Sequence, residues 1–209
     1  MATKSPSIRE NPRPDLRRKL LDSAERLFSE RAYDDVRVDD IAADAGVAKG
    51  LVYYHFEGKR GIYIAVIKAI AEDVNARTVP DLSLPFYDSV AASLDSFLAW
   101  TEEIERFSKA VARGPGTDPV LTMVIEETLE LQVERVLGGM KLVAAELDVE
   151  GVVETPIMRH AIKGWVAFVY GVMFDWMTAR DVTADELRDL FVRALAGAIK
   201  AGRDSGSET

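Results

Sequence analysis

The chain has 209 residues, is 48% hydrophobic and carries a formal net charge of −9. That is enough apolar material for one sizeable core, or for a small domain joined to a larger one. It contains no Cys, which excludes disulfides and thiolate metal sites and fits a reducing compartment. No apolar run reaches the roughly 20 residues of a membrane span. The opening MATKSPSIRENPRP lacks a signal-peptide pattern, so a cytoplasmic protein with no membrane partner is expected.

Residues 1–13, rich in Pro, Ser and Lys/Arg, predict a disordered basic tail. Pro14 suits the first turn of a helix that runs to about Arg31 with Leu16, Leu20, Leu21, Ala24, Leu27 and Phe28 on one stripe. From Val38 to Ala45 the apolar residues Val38, Ile41, Ala42 and Ala45 recur at helical spacing until Gly46. Val47 re-enters the core, and a second short helix follows from about Ala48 to His55. Two short helices joined by a Gly-containing turn form a helix-turn-helix, whose second helix is presented to the DNA major groove. Here that helix carries Lys49, Gly50, Leu51, Tyr53, Tyr54 and His55. Lys49 and the Gly50 backbone lie where base edges come within reach. Tyr53, Tyr54 and His55 can donate to phosphate oxygens, contacts that set register rather than read sequence. Phe56 reads as core. Lys59 stands at the start of the next helix, about Gly58 to Thr78, where a cation opposes the helix dipole by a few tenths of a kcal/mol. An unfavourable charge where an anion would dock points to an anion that does dock.

The run from Ile41 to Lys59 resembles the DNA-binding signature of TetR-family transcriptional regulators, I-A-x-x-A-G-V-S-x-G-x-x-Y-x-H/Y-F-x-x-K. Ile41, Ala42, Ala45, Gly46, Val47, Gly50, Tyr53, His55, Phe56 and Lys59 match without a gap. Two positions depart. Ala48 replaces a Ser, and Arg37 stands where a Thr commonly begins the first helix of the pair. Both family residues are helix N-caps worth about 1 kcal/mol each, and Arg37 can instead reach a phosphate.

The remaining chain reads as helices throughout. They are expected over Phe86 to Glu105, Phe107 to Ala112, Asp118 to Leu147, Thr155 to Arg180 and Thr183 to Ala201. The loop GPGTDP precedes the third of these, Gly138-Gly139 is a weak point within it, and Thr183-x-x-Glu186 is a capping box. The pattern is that of an all-α protein of about nine helices. The resemblance implies a three-helix DNA-binding head over 14–60 followed by a larger effector-binding and dimerisation domain over 61–203, and 204–209 are expected to form a flexible tail.

Residues 157–177 are apolar nearly all round, so that helix must be buried on most sides. Its charges argue against a membrane span, and Gly164 and Gly171 permit close helix approach. The resemblance implies that the last two helices pair with their symmetry mates in a four-helix homodimer interface. That assigns Gly164, Gly171, Val172, Trp176, Leu187, Phe191, Ala194 and Ala198 to it. Such a dimer would read a palindromic operator in double-stranded DNA, with half-sites roughly 34–36 Å apart or a multiple of that. The resemblance also implies an effector pocket among the middle helices. Its candidate residues are Phe97, Trp100, Phe107, Met123, Glu127, His160, Trp165 and Phe168. Glu127 and His160 are either ligand hooks or solvated residues, and the mainly apolar set favours a lipophilic effector.

Charge distribution matters more than its sum. Residues 1–60 hold 12 Lys/Arg against 11 Asp/Glu, while the rest holds 14 against 24, so the acidity lies in the body. An enzyme is disfavoured: there is no P-loop, no dinucleotide fingerprint, no Cys nucleophile and only two His, so no catalytic residue, metal ligand or cofactor is assigned. A purely structural module would keep the amphipathic helices but have no use for Tyr53, Tyr54 and Lys59 in this arrangement. Repression is the expected sign of regulation; activation stays open.

Overall fold

A computed structural model describes residues 13–103 and 119–206. Among the described residues the protein is all-α. Its helices are α1 (Arg13–Glu30), α2 (Val38–Asp44), α3 (Lys49–Phe56), α4 (Lys59–Arg77), α5 (Phe86–Glu103), α6 (Pro119–Leu142), α7 (Pro156–Ala179) and α8 (Ala184–Gly206). A short 3₁₀ turn, Tyr33–Asp35, separates α1 from α2. The basic tail up to residue 12, the expected helix from Phe107 to Ala112, the GPGTDP loop up to Asp118 and the last three residues lie outside the described residues.

The head forms because three short elements each offer one apolar face. On α1, Leu20, Ala24, Leu27 and Phe28 are buried and cover Val38, Ile41 and Ala42 of α2 and Val52 and Phe56 of α3. Arg37 supplies no capping hydroxyl, but the reciprocal half of a capping box is present: its backbone N–H donates to Oδ2 of Asp40 at 3.1 Å. No comparable device replaces the cap at Ala48, whose side chain makes no hydrogen bond to α3. The chain then reverses through Glu57 (φ 61°) and Gly58 (φ 118°), both in the left-handed half of backbone space. Gly61 completes the junction: a Cβ there would lie 1.7 Å from the Phe56 carbonyl oxygen.

The head's core does not stop at residue 60. Ile62, Tyr63, Val66 and Ile67 of α4 belong to it, as do Leu121 and Val124 at the start of α6. Further along α4, Val74 joins the second core, and Ile70 packs against both. The boundary expected between head and body therefore falls at the start of a helix that the two cores share.

In the body, α6 runs through Gly138-Gly139 unbroken, and Gly139 lets the Phe86 ring close in: a Cβ there would lie 3.2 Å from it. The helix ends at Leu142 rather than Leu147. Residues 143–154 wind through turns that include Asp148 (φ 53°) and Gly151 (φ 77°), conformations that no right-handed helix can continue through. Thr155 caps α7 by accepting from the Met158 N–H, with Pro156 in the first turn. The capping box at α8 is formed in both directions, Thr183 N–H to Glu186 Oε2 at 2.9 Å and Glu186 N–H to Thr183 Oγ1 at 3.2 Å. That last helix reaches Gly206, so residues 204–206, expected in the flexible tail, are helical. Gly202 explains the extension. A Cβ there would sit 2.8 Å from Met158 Sδ, so the absence of a side chain lets the end of α8 rest on α7.

Gly61→Ala is expected to lower stability by about 1–3 kcal/mol, because the added methyl meets a backbone carbonyl that cannot swing away. A urea unfolding curve with an unchanged midpoint would contradict this.

Candidate nucleic-acid interface and ligand cavities

Helix α3 buries Val52 and Phe56 and turns the opposite face outward. On that face lie Lys49, Gly50, Tyr53 and Tyr54, with Tyr54 73% and Tyr53 50% exposed. Large aromatics are seldom left this open on a monomer unless they touch something. A Cβ on Gly50 would meet nothing within 4 Å, so this part of α3 offers bare backbone to an incoming surface. Leu51 and His55 are half-buried at the edges, His55 edge-on to Tyr54 with ring centroids 4.9 Å apart. Tyr53 also leans over the α3–α4 junction, where a Cβ on Gly58 would be 3.3 Å from its ring.

The cations are not equally available. Lys49 Nζ pairs with Asp39 at 2.9 Å, both side chains being half-exposed. Such a surface pair is worth about 0–1 kcal/mol, so a phosphate can displace Asp39. Lys59 is held more firmly: Nζ donates to the Asp34 carbonyl at 3.2 Å and sits 4.3 Å from the centroid of the Tyr33 ring. It therefore joins the start of α4 to the 3₁₀ turn, a second task that its place in the sequence did not reveal. Arg37 is exposed beside α2.

Among the described residues, two cavities open in the body. One, of about 120 Å³, lies among the loop after α4 and helices α5, α6 and α7. Phe86, Val90, Leu94, Phe97, Trp165 and Val169 make its apolar wall, and Thr78, Ser89, Gln132, Arg135 and Tyr170 its polar part. The other, of about 160 Å³, lies between α4 and α7 and is almost wholly apolar, with Ile67, Ile70, Val74, Trp100, Met173 and Met177 around it. Phe97 and Tyr170 line both, their ring centroids 5.0 Å apart. Burial pushes the Tyr170 hydroxyl up to about 12, so at neutral pH it remains an uncharged donor.

Of the residues read as effector contacts, the fold brings Phe97, Trp100 and Trp165 to these cavities. Trp100 Nε1 donates to Asp73 at 2.7 Å and Trp165 Nε1 to the Phe191 carbonyl at 2.8 Å, so both indoles are satisfied within the chain. Met123, Glu127, His160 and Phe168 are exposed and line neither cavity, and Phe107 is outside the described residues. Their helices turn them outward because the neighbouring positions Val124, Thr128, Ile162 and Trp165 take the inner faces. Ser89, Gln132, Arg135 and Tyr170 escaped the sequence reading. The available signal was Gln132 and Arg135, polar residues one turn apart among Leu129, Val133 and Val136.

The residues read as dimer contacts divide in two. Trp176, Leu187 and Phe191 are buried in the chain's own core, with Trp176 Nε1 donating to the Val182 carbonyl at 2.7 Å. Gly164 and Gly171 have open space where a Cβ would be, and share an exposed stripe of α7 with Phe168; Val172, Ala194 and Ala198 are half-buried.

A helix-turn-helix head with an exposed Lys/Tyr face is thus carried on a larger cavity-bearing helical body. Residues 20–66 match the profile of bacterial regulatory proteins of the tetR family. Over 57 residues it is 40% identical to IcaR of Staphylococcus aureus, the negative transcriptional regulator of the biofilm operon icaADBC; that stretch is 27% of this chain and 31% of IcaR. Over 70 residues it is 33% identical to the transcriptional regulator SrpR of Pseudomonas putida, 34% of this chain and 33% of that one. The matched part thus spans about a third of these relatives' length. Among solved structures, a tetR-family regulator from Streptomyces coelicolor superposes with a TM-score of 0.78 at 23% identity, covering 93% of this chain and 85% of that one. The regulator FadR of Bacillus subtilis, in complex with stearoyl-CoA, gives 0.68 at 18% identity over 87% and 98%. At these identities the likeness is one of fold.

Tyr54→Ala is expected to leave the unfolding midpoint unchanged and weaken operator binding about tenfold, as loss of a charge-assisted contact does. Lys49→Ala should reduce the log–log salt slope by about one unit. Gel shifts over a salt series check both; unchanged affinity in both variants would remove α3 as the DNA-facing helix.

Proposed function

We propose that the chain is a ligand-responsive repressor in the cytoplasm that binds a palindromic operator as a homodimer and is released by a lipophilic small molecule. The observation that carries this reading is the shared helix α4, whose two halves belong to the head's core and to the wall of the apolar cavity. A molecule that fills this cavity acts directly on the element that aims α3. Residues 14–60 serve DNA and residues 61–203 the effector and the partner copy. Repression is supported by IcaR, a negative regulator, and a lipophilic effector by the apolar walls and by FadR, solved with an acyl-CoA.

The homodimer reading is supported by the outer face of α7 and α8. Phe168 and Leu190 are exposed there, with Gly164 and Gly171 leaving room for a second helix pair to approach. The coupling is reciprocal: an effector that prefers the splayed heads lowers DNA affinity by the factor by which DNA lowers effector affinity.

Selection of bound fragments from random duplexes is expected to recover an inverted repeat. Recovery of sites with no two-fold symmetry would overturn the palindromic reading. Sedimentation at low micromolar concentration should show a dimer, and Phe168→Glu should convert it to monomer without unfolding it; a wild-type monomer would overturn the pairing.

A further inference from the structure

The cavity after α4 contains an electrostatic imbalance. Arg135 lies in its lining, partly desolvated, and burial holds its guanidinium below the ordinary arginine range. Its only hydrogen bond among the described residues is neutral, from Nη1 to Thr78 Oγ1 at 3.1 Å, and no carboxylate there pairs with it. The two acids nearest to it along the helix are engaged elsewhere: Glu130 and Glu134 both pair with Arg159. A cation partly removed from water without a counter-charge bears part of that desolvation cost, and an anion entering the site would relieve it.

A second observation points to the same spot. Ser89, 5% exposed, also lines the cavity, and its hydroxyl has no hydrogen-bond partner. An unpaired buried hydroxyl is destabilising where it stands, so a polar ligand atom in reach would recover the loss. The helix register places the two residues at one level of the cavity. Phe86 of α5 sits against Gly139 of α6, while Phe97 and Trp100 of α5 share the second cavity with Thr128 of α6, so the two helices run antiparallel. One turn in from the first pair, Ser89 comes level with Arg135. Around them stand Phe86, Val90, Trp165 and Val169, all apolar.

We propose that this cavity takes an amphipathic monocarboxylate, its carboxylate paired with Arg135 and accepting from the Ser89 hydroxyl, its apolar body against Phe86, Phe97 and Trp165. This rests on the reading of the body as an effector-binding unit and names the chemistry of the effector. The two adjoining cavities together approach the lower end of small-molecule sites, on the order of 300 Å³, which favours a short free acid over a bulky conjugate such as a coenzyme A thioester.

The test is calorimetric titration of the full chain with butanoate, hexanoate, octanoate and decanoate, each beside the alcohol of the same length and, for octanoate, its coenzyme A thioester. At least one acid is expected to bind about tenfold or more tightly than its alcohol, the factor of a charge-assisted contact. Arg135→Gln should abolish that preference while leaving alcohol binding in place. Ser89→Ala gives a signature that loss of folding cannot imitate: acid affinity falls several-fold while the unfolding midpoint of the free protein stays or rises. Acids no tighter than alcohols, an unaffected Arg135→Gln variant, or a thioester preferred to the free acid would overturn the carboxylate assignment and leave a lipophilic effector standing. Failure of every compound to bind, with operator binding intact, would overturn the assignment together with the effector reading, but not the DNA-binding one.

Discussion

Helix α4 is the constraint on which the molecule depends. It begins at a junction so tight that Gly61 has no room for a Cβ beside the Phe56 carbonyl, and its first half is sealed into the head by Ile62, Tyr63, Val66 and Ile67. Its second half contributes Val74 to the body's core and ends on Thr78, which caps back onto the Val74 carbonyl and meets Gln132 and Arg135 of α6. A close-packed helix cannot deform continuously at one end while staying fixed at the other. In the proposed function, displacement at the cavity reaches the head as movement of a body, and α3 goes with it.

The head combines two kinds of contact. Buried aliphatic packing holds the three helices, whereas the outward face of α3 is furnished with groups whose partners are weak or absent, Tyr53, Tyr54 and the exchangeable Lys49–Asp39 pair. Surface pairs of this kind contribute little to stability, so a face can be kept ready for phosphate without weakening the fold. Lys59 differs, because its ammonium also ties α4 to the 3₁₀ turn through Asp34 and the Tyr33 ring.

The body shows a similar division. Its tryptophans are anchored by hydrogen bonds within the chain, Trp100 to Asp73, Trp165 to Phe191 and Trp176 to Val182. The groups left short of partners, the Arg135 guanidinium and the buried Ser89 hydroxyl, belong to residues that line a cavity. Exposed Phe168 and Leu190 lie on the opposite side, on the outer face of α7 and α8.

Much of this was legible along the chain because it is local. The stripe on α1, the Gly-containing turn of the helix-turn-helix, the Thr155-Pro156 start and the Thr183/Glu186 box each depend on residues within a few positions of one another, and each formed where it was read. What failed or was missed depends mostly on distant partners. Gly202, set against Met158, lets the end of α8 rest on α7, and α8 continues there to Gly206. Asp40, whose carboxylate accepts from the Arg37 N–H at the start of α2, is the local exception. Nothing in the spacing of Ser89 and Arg135 says that they stand level across two antiparallel helices, or that Met123, Glu127 and His160 face solvent. The amino-acid order alone determined the helices and the helix-turn-helix near the chain's start, since periodicity, caps and turn residues act over one or two helical turns. Only the tertiary structure decided which apolar residues enclose a cavity and which polar groups are stranded beside it, because burial is a property of the whole packed chain.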